Sequence, residues 1–458
     1  MNRALLLSGA AAVAAMTGCS SDNTSTTPTG STATPSAGGP GAPGGGGTMV
    51  SYTDFKGVTT DGTVVPDLFA VHSTGVSTAA VVAAGTAFVA ALTDAQKAET
   101  LYDVTADQWL NWSNIHNFSR NGVRMKDMTA AQQKAALAVL QAGLSAEGLA
   151  LSNNIRKLNH VTGRLMGRLD QFDEDLYFIT VMGTPSQTEP WGWQFQGHHL
   201  VLNYFVLGDQ VVMTPTFLGS EPRVGYYDDG TKIELFTEEL AAGVAMINAL
   251  DASQKAEAIT AATKGGTVNS TEAGKDNAVL PYAGIKVSEL TTAQQTRLLD
   301  LANLFVGNMD TGHAAVKMAE IKDKLAETYF AWQGPTTADG AFYFRIQSPV
   351  ILIEFDCQGG GPASGAVEAA LVPDNATKTG VVSGNTQGGG PAPGGSGGPQ
   401  PGSGPPGADA SGGAAPGGGG GGGSRNHIHA VIRTPNGNDY GFDLLKEHLA
   451  THPHPSAT

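Results

Sequence analysis

The chain carries two collinear copies of the same short motifs, and that constrains its fold more than any other feature. Asp94-Ala-Gln-Lys-Ala-Glu99 returns as Ala252-Ser-Gln-Lys-Ala-Glu257. The stretch Asn121-Gly-Val-Arg-Met-Lys-Asp-Met-Thr-Ala-Ala-Gln-Gln133 returns as Ala283-Gly-Ile-Lys-Val-Ser-Glu-Leu-Thr-Thr-Ala-Gln-Gln295. Tyr177-Phe178 returns as Tyr329-Phe330, and Val211-Val-Met-Thr-Pro215 as Val431-Ile-Arg-Thr-Pro435. Order is kept and the offset drifts slowly until one long insertion. Such echoes predict a duplicated unit, with the first lobe over 49–249 and the second over 250–457. Histidines gather at non-equivalent places in the two copies, so the working surface is expected where the copies differ.

The amino terminus reads as an export signal over residues 1–18. Asn2-Arg3 is a short basic start, and Ala4 to Met16 is an apolar run too short for a permanent membrane span. Cys19 follows Met16-Thr17-Gly18, in the manner of a bacterial lipoprotein cleavage box, and is the expected lipidation site. Ser20 rather than Asp after it points to the outer membrane or the periplasmic face. Residues 19–48 are Ser, Thr, Gly, Pro and Ala with almost nothing large and apolar, the composition of a disordered tether. Cys357 is the only other cysteine, so no intramolecular disulfide is expected in the mature protein. Flanked by strand residues, Cys357 reads as a buried hydrophobe rather than a nucleophile. The net charge of −15, with no basic cluster, argues against nucleic acid or an anionic membrane surface as partner. The membrane enters only through the lipid anchor.

Each copy reads helices first, then antiparallel strands. Thr129 is the expected N-cap of a helix whose capping-box partner is Gln132, and Leu290-Thr-Thr-Ala-Gln-Gln opens its counterpart. Another helix is expected from about His313 to Tyr329. Trp193 to Val206 is expected as one strand, turning at Gly208-Asp209 into Gln210 to Thr214. In the second copy, Phe342 to Asp356 is expected to pair with His427 to Arg433 across an insertion spanning 358–424. That insertion contains no aromatic residue, ends in seven glycines (Gly417 to Gly423) and reads as disordered. Loop-closure cost grows only logarithmically with length, so the hairpin survives it. The predicted class is α+β: two tandem related lobes, each a helix-then-hairpin unit, packed as one body.

His427 and His429 are two apart on a predicted strand and share a face. Glu354 and Asp356 do the same across the hairpin. Two imidazoles with one or two carboxylates suit a divalent metal ion. The competing reading has the histidines capping a sheet end through backbone hydrogen bonds, and the sequence leaves both open. His198 and His199, read as strand neighbours, face opposite ways, so only one joins a given site unless Gly197 introduces a bulge. Arg345 is a candidate for holding an anionic group, and Asp439 for orienting His429 from behind. Weaker candidates are Trp112, Asn114, Arg120 and Arg124, lining a cleft with Trp191 and Trp193. His448, His452 and His454 read as solvated, and Glu234, Glu238 and Glu239 as an exposed helix face. Outside the insertion, where Gly394-Gly-Ser-Gly-Gly398 matches by composition alone, no Gly-x-Ser-x-Gly elbow is present, nor is a His-Glu-x-x-His helix or P-loop.

Several of these motifs, in order, resemble the signature of the family called domain of unknown function 3500. They are Trp191-Gly-Trp-Gln-Phe-Gln-Gly-His-His-Leu, Pro215-Thr-Phe-Leu-Gly-Ser-Glu-Pro222, Tyr343-Phe-Arg-Ile with Glu354, Asn426-His-Ile-His-Ala-Val-Ile-Arg433 and Asn438-Asp-Tyr-Gly441. The resemblance runs from Val81 to His454 and implies that both histidine motifs and Asp439 belong to the family pattern. It implies no particular activity. The leading expectation is a cell-envelope lipoprotein with a metal-dependent hydrolytic site: His427, His429, Glu354 and Asp356 around the ion, His199 or His198 as further ligand or general base, and a small molecule as substrate. Metal-dependent redox chemistry is the second choice of reaction. The alternatives are a non-catalytic lipoprotein that binds a metal or small solute, and a structural envelope protein with packed histidines.

Overall fold

The computed structural model describes residues 50–360 and 423–452. The segments expected as export signal and tether, Cys19, nearly all of the insertion and His454 lie outside the described residues. In chain order the first elements are α1 (Ala79–Ala91), α2 (Asp94–Thr100), β1 (Leu101–Tyr102), β2 (Val123–Arg124), α3 (Ala130–Gly143) and α4 (Ala146–Met166). The strands β3 (Phe178–Met182), β4 (Trp191–Gly197), β5 (Leu200–Leu207), β6 (Gln210–Val212), β7 (Thr216–Ser220), β8 (Val224–Tyr226) and β9 (Lys232–Glu234) follow. Next come α5 (Thr237–Asn248), α6 (Ala252–Ala258), β10 (Ile259–Ala261), β11 (Ile285–Lys286), α7 (Thr292–Val306) and α8 (Thr311–Asp323). The last are β12 (Tyr329–Gln333), β13 (Tyr343–Gln347), β14 (Leu352–Cys357), β15 (Ile428–Arg433) and α9 (Phe442–Thr451).

Four helices start the same way. Thr93, Thr129, Asp251 and Thr291 each accept the backbone N–H three residues on, where a glutamine returns the bond to the cap's own N–H. This satisfies two of the donors that every helix start leaves open. The expected cap at Thr129 with Gln132 is there. The helix expected from His313 ends earlier, at Asp323, before β12 begins at Tyr329.

The strands form one 13-stranded mixed sheet in the order β1-β3-β4-β5-β7-β15-β14-β13-β12-β10, with β2, β6 and β11 attached beside it. Only the edge pairs β1–β3 and β10–β12 are parallel. Counted inward from either end, each half offers a parallel edge, a hairpin and then an inner strand, meeting where β7 pairs antiparallel with β15. One face is largely apolar. Trp193, Phe195, Phe344, Phe355, Ala430 and Ile432 on that face pack against α1, α3, α4, α5 and α7. The other face is mixed. A second core of Phe55, Trp109, Val201, Phe217, Val431 and Phe442 covers part of it, and polar side chains occupy the rest. Strand alternation puts His429, Val431 and Arg433 of β15 on this second face, with Glu354 and Asp356 of β14 beside them.

Two strand expectations are corrected. Trp193 to Val206 is not one strand: β4 ends at Gly197 and β5 begins at Leu200, with His198-His199 as the two-residue turn between. Phe342 to Asp356 likewise breaks into β13 and β14 at Ser348–Ile351. The cross-hairpin pairing of β14 with β15 holds, with Asp356 opposite His429 and Glu354 opposite Val431.

Candidate metal centre

Three imidazoles meet at the start of β15. His429 lies on the strand, and His427 stands one residue before it, on the same side. His199 reaches them from the β4–β5 turn, where its φ of 63° swings the side chain over β7. Its backbone is fixed on both sides, N–H to the Asn114 carbonyl (3.2 Å) and C=O to the Gly219 N–H (2.8 Å). Gly219 is required beneath it. A Cβ there would lie 2.7 Å from the Ile428 carbonyl oxygen and 3.3 Å from the His199 ring.

The Nε2 atoms of His427 and His429 are 3.1 Å apart, those of His429 and His199 3.2 Å, and those of His427 and His199 3.4 Å. A tetrahedral ion with metal–nitrogen bonds of about 2.0–2.1 Å needs ligand nitrogens about 3.3 Å apart, so the triangle fits. Tautomers support this. His429 Nδ1 donates to Glu272 Oε1 at 2.8 Å, and His427 Nδ1 donates to the Gly359 carbonyl at 2.7 Å. Both partners only accept, so each ring keeps its proton on Nδ1 and turns a bare Nε2 lone pair toward the other. Facing lone pairs repel unless a cation lies between them.

A proton is a poor candidate for that cation. Burial, and then the neighbouring imidazoles, hold His199 well below the usual histidine range. Burial and the nearby His429 push His427 down to about 3. Burial alone would raise the Glu272 carboxyl, but the adjacent His429, with Asn269, more than offsets it and leaves it below its ordinary value. Glu272 therefore stays ionised behind His429, the usual arrangement behind a metal-bound imidazole. The Glu221 carboxylate lies 3.9 Å from His427 Nδ1. These three histidines form a group able to hold a metal ion.

The expected carboxylate ligands are elsewhere engaged. Glu354 accepts from the Ser270 and Thr271 amides (2.9 Å each), from the Tyr343 hydroxyl (2.7 Å) and from the Thr271 hydroxyl. Asp356 binds Lys264 Nζ at 2.8 Å, the Val268 amide at 2.9 Å and the Gln358 amide at 2.7 Å. Both share the histidines' face, but the Lys264–Glu272 loop closes over them. Burial raises both carboxyls from their ordinary values, with those donors opposing it. The carboxylate that reaches an imidazole is Glu272, which the sequence reading missed; nothing in Asn269-Ser-Thr-Glu272 marks it.

The remaining expected residues are also placed apart from the centre. His198 points away: its Nδ1 donates to Asn159 Oδ1 (2.8 Å), and its ring stacks on His199 at 3.9 Å. Arg345 donates to the Pro281 carbonyl (3.0 Å). Asp439 accepts the Thr434 N–H (2.7 Å) and pairs with Arg433 (3.2 Å) rather than touching His429. Arg433, unsuspected in an apolar strand, is fully buried against Asp276 (2.7 Å) and over the Trp112 ring. Burial opposes its charge, and Asp276 and Asp439 more than compensate.

Trp191 and Trp193 lie in the helix-side core, not a cleft, and Trp112 is buried on the other face. Arg120 donates to the carbonyls of Ser113 and Phe118, and Arg124 pairs with Asp127. His448 is buried, with His452 stacked on it at 4.9 Å, so it is not solvated as expected. The three glutamates do not share one helix face. Glu234 is on β9, while Glu238 and Glu239 open α5, where burial pushes Glu239 up to about 7. Cys357 is buried, and burial raises its thiol to about 11, as befits an inert packing residue.

No described helix is long and apolar enough to cross a membrane. No curated protein matches this chain, and no solved structure does. One protein-family model matches residues 74–442, a span that includes all three histidines, Glu272 and the whole sheet. The chain belongs to the family described as protein of unknown function DUF3500.

Proposed function

We propose that this protein is a cell-envelope lipoprotein whose three histidines hold a divalent metal that activates water for hydrolysis of a small molecule. The observation that carries the reading is the triangle of Nε2 atoms at 3.1–3.4 Å with Glu272 behind His429. Three neutral nitrogen ligands leave at least one coordination position for water or substrate. An ion held this way lowers the pKa of bound water towards neutrality and polarises a carbonyl or phosphoryl group. The export signal and Cys19 support the envelope location. The matched helix caps and the order of strands support descent from a duplicated unit. In that reading one copy contributes the His198-His199 turn and the other the His427-x-His429 strand.

A second reading rests on burial. His199 and His429 are only 5% and 7% exposed, which suits capture of a metal without turnover.

Metal analysis of the purified full chain tests both. About one divalent ion per chain is expected, lost in His427→Ala/His429→Ala. A chain that takes up no metal under any loading condition would sink both readings and leave packed histidines in an envelope protein. With metal bound, ester, phosphate and peptide substrates decide between them. Turnover that disappears in the double variant supports the hydrolase, and its absence across all three classes supports the binder.

A further inference from the structure

A cavity of about 150 Å³ lies beyond the far end of β15 from the histidine centre, walled by residues of both cores. Its walls are mostly apolar and include Phe69, Val212, Phe305, Met309, Ile432 and Leu444. Ile432 is three residues beyond His429 on β15, about 10 Å along the strand and on the opposite face.

One buried polar atom in this wall lacks a partner, and a second polar group beside the cavity is held only loosely. His313, on α8, is 4% exposed, and neither ring nitrogen makes a hydrogen bond of good geometry. Asp310 is 3.4 Å from its Nδ1, and the Asp209 backbone lies beside the ring. Asn438, at the far end of the β15 segment, is 3% exposed, and its side-chain oxygen is unpaired. An unsatisfied buried polar atom is costly, so the Asn438 oxygen on this small cavity calls for a donor from an occupant.

The outer wall is a strap formed by Leu68–Thr74, fastened by side chains rather than by a strand ladder. The His72 amide donates to Gln210 Oε1 (2.8 Å), the Thr74 amide to Asp209 Oδ1 (2.8 Å) and the Val71 amide to Glu447 Oε2 (2.9 Å). Such ties release without breaking the sheet, which gives an entry route.

We infer that this cavity binds a small, uncharged, mostly apolar molecule with one hydrogen-bond donor, of the size and chemistry of a phenol. An apolar chamber of about 150 Å³ accommodates one benzene-sized ring. The donor satisfies the Asn438 oxygen, while the ring packs on the apolar walls beside His313. Burial holds this histidine below its usual range, with Asp310 and Asp209 opposing. Lys317 at the rim is already occupied by Glu320 (3.0 Å) and the Val350 carbonyl (2.9 Å), which argues against an anionic ligand. The inference is independent of the metal centre.

The test uses the full chain with 13C-methyl-labelled methionine, titrated with phenol and with toluene, which has the same shape and no donor. Met213 and Met309 line the cavity, while Met125 and Met128 do not. Phenol is expected to shift the Met213 and Met309 methyl signals saturably, leave the other two unmoved, and bind about tenfold more tightly than toluene. Asn438→Leu should weaken phenol about tenfold and leave toluene unweakened. Toluene binding as tightly as phenol to the wild-type chain would overturn the inference, as would no saturable shift with either probe, the result expected if water alone fills the chamber. The wild-type comparison decides the question even if the variant does not fold.

Discussion

Glu354 and Asp356 of β14 and His429 of β15 sit side by side on one sheet face, yet the structure uses them in opposite ways. Each carboxylate is surrounded by donors from the Lys264–Glu272 loop and from Tyr343 or Gln358. His427 and His429 keep their Nδ1 atoms bonded, and with His199 they leave their Nε2 atoms converging on each other. The carboxylates anchor a loop; the histidines present ligands. The two regions are linked through that loop, since it also carries Glu272 to His429, and Arg433 holds the carbonyls of Thr271 (3.0 Å) and Glu272 (3.3 Å). Strand alternation decides which face a side chain occupies. What covers it decides whether it is available.

The sharpest way to break this division is at Lys264. Lys264→Met leaves Asp356 buried without its cation, which should lower unfolding stability by about 3–5 kcal/mol in a urea titration. The fraction still folded should bind metal with unchanged stoichiometry. Loss of metal without loss of stability would place Asp356 in the centre after all. A smaller effect is expected at Glu272. Glu272→Gln keeps the shape and removes the charge behind His429, so metal affinity should fall about 10–100-fold, with a stability loss of about 1–2 kcal/mol from the weakened bond to His429. Competition with a chromogenic chelator measures the first, and thermal unfolding of the metal-free chain the second. An unchanged affinity would show that Glu272 does not act through His429.

Much of this arrangement is legible in the sequence where local rules apply. The His427-x-His429 spacing puts both rings on one face, and the hairpin brings Asp356 opposite His429. The Thr-x-x-Gln caps mark their helices because the cap satisfies donors within one turn. His199 needs different information. Read as strand neighbours, His198 and His199 alternate, but a two-residue turn with positive φ at the second position aims them by turn geometry. Glu272 and Arg433 are harder still. Glu272 lies in a loop without periodicity, 157 residues from its partner, and its position depends on donors that bind Glu354 and Asp356. Arg433 is tolerable in a buried strand only because Asp276 arrives from a loop 157 residues away and Asp439 turns back from six residues on.

The smallest expected effect is a pH dependence that separates the two regions by sign. Burial and the nearby His429 hold His427 at about 3 in the folded chain, against about 6.5 when unfolded. Between those values the unfolded state carries the extra proton, so metal-free stability falls as pH drops below about 6.5. At pH 5.5 one such imidazole accounts for about 1 kcal/mol relative to pH 7.5. The carboxyls of Glu354 and Asp356 are raised instead, so their contribution is complete below the unfolded carboxyl range and fades as pH rises through their folded values. Unfolding curves of the metal-free chain at pH 5.5 and 7.5, with and without His427→Gln, read the difference. The variant should lose about 1 kcal/mol less than the parent between the two pH values, and saturating metal should stabilise the parent but not the variant. An equal pH response in both would mean that His427 is as free to take up a proton in the folded chain as in the unfolded one, and the argument for a metal rather than a proton between these rings would fail.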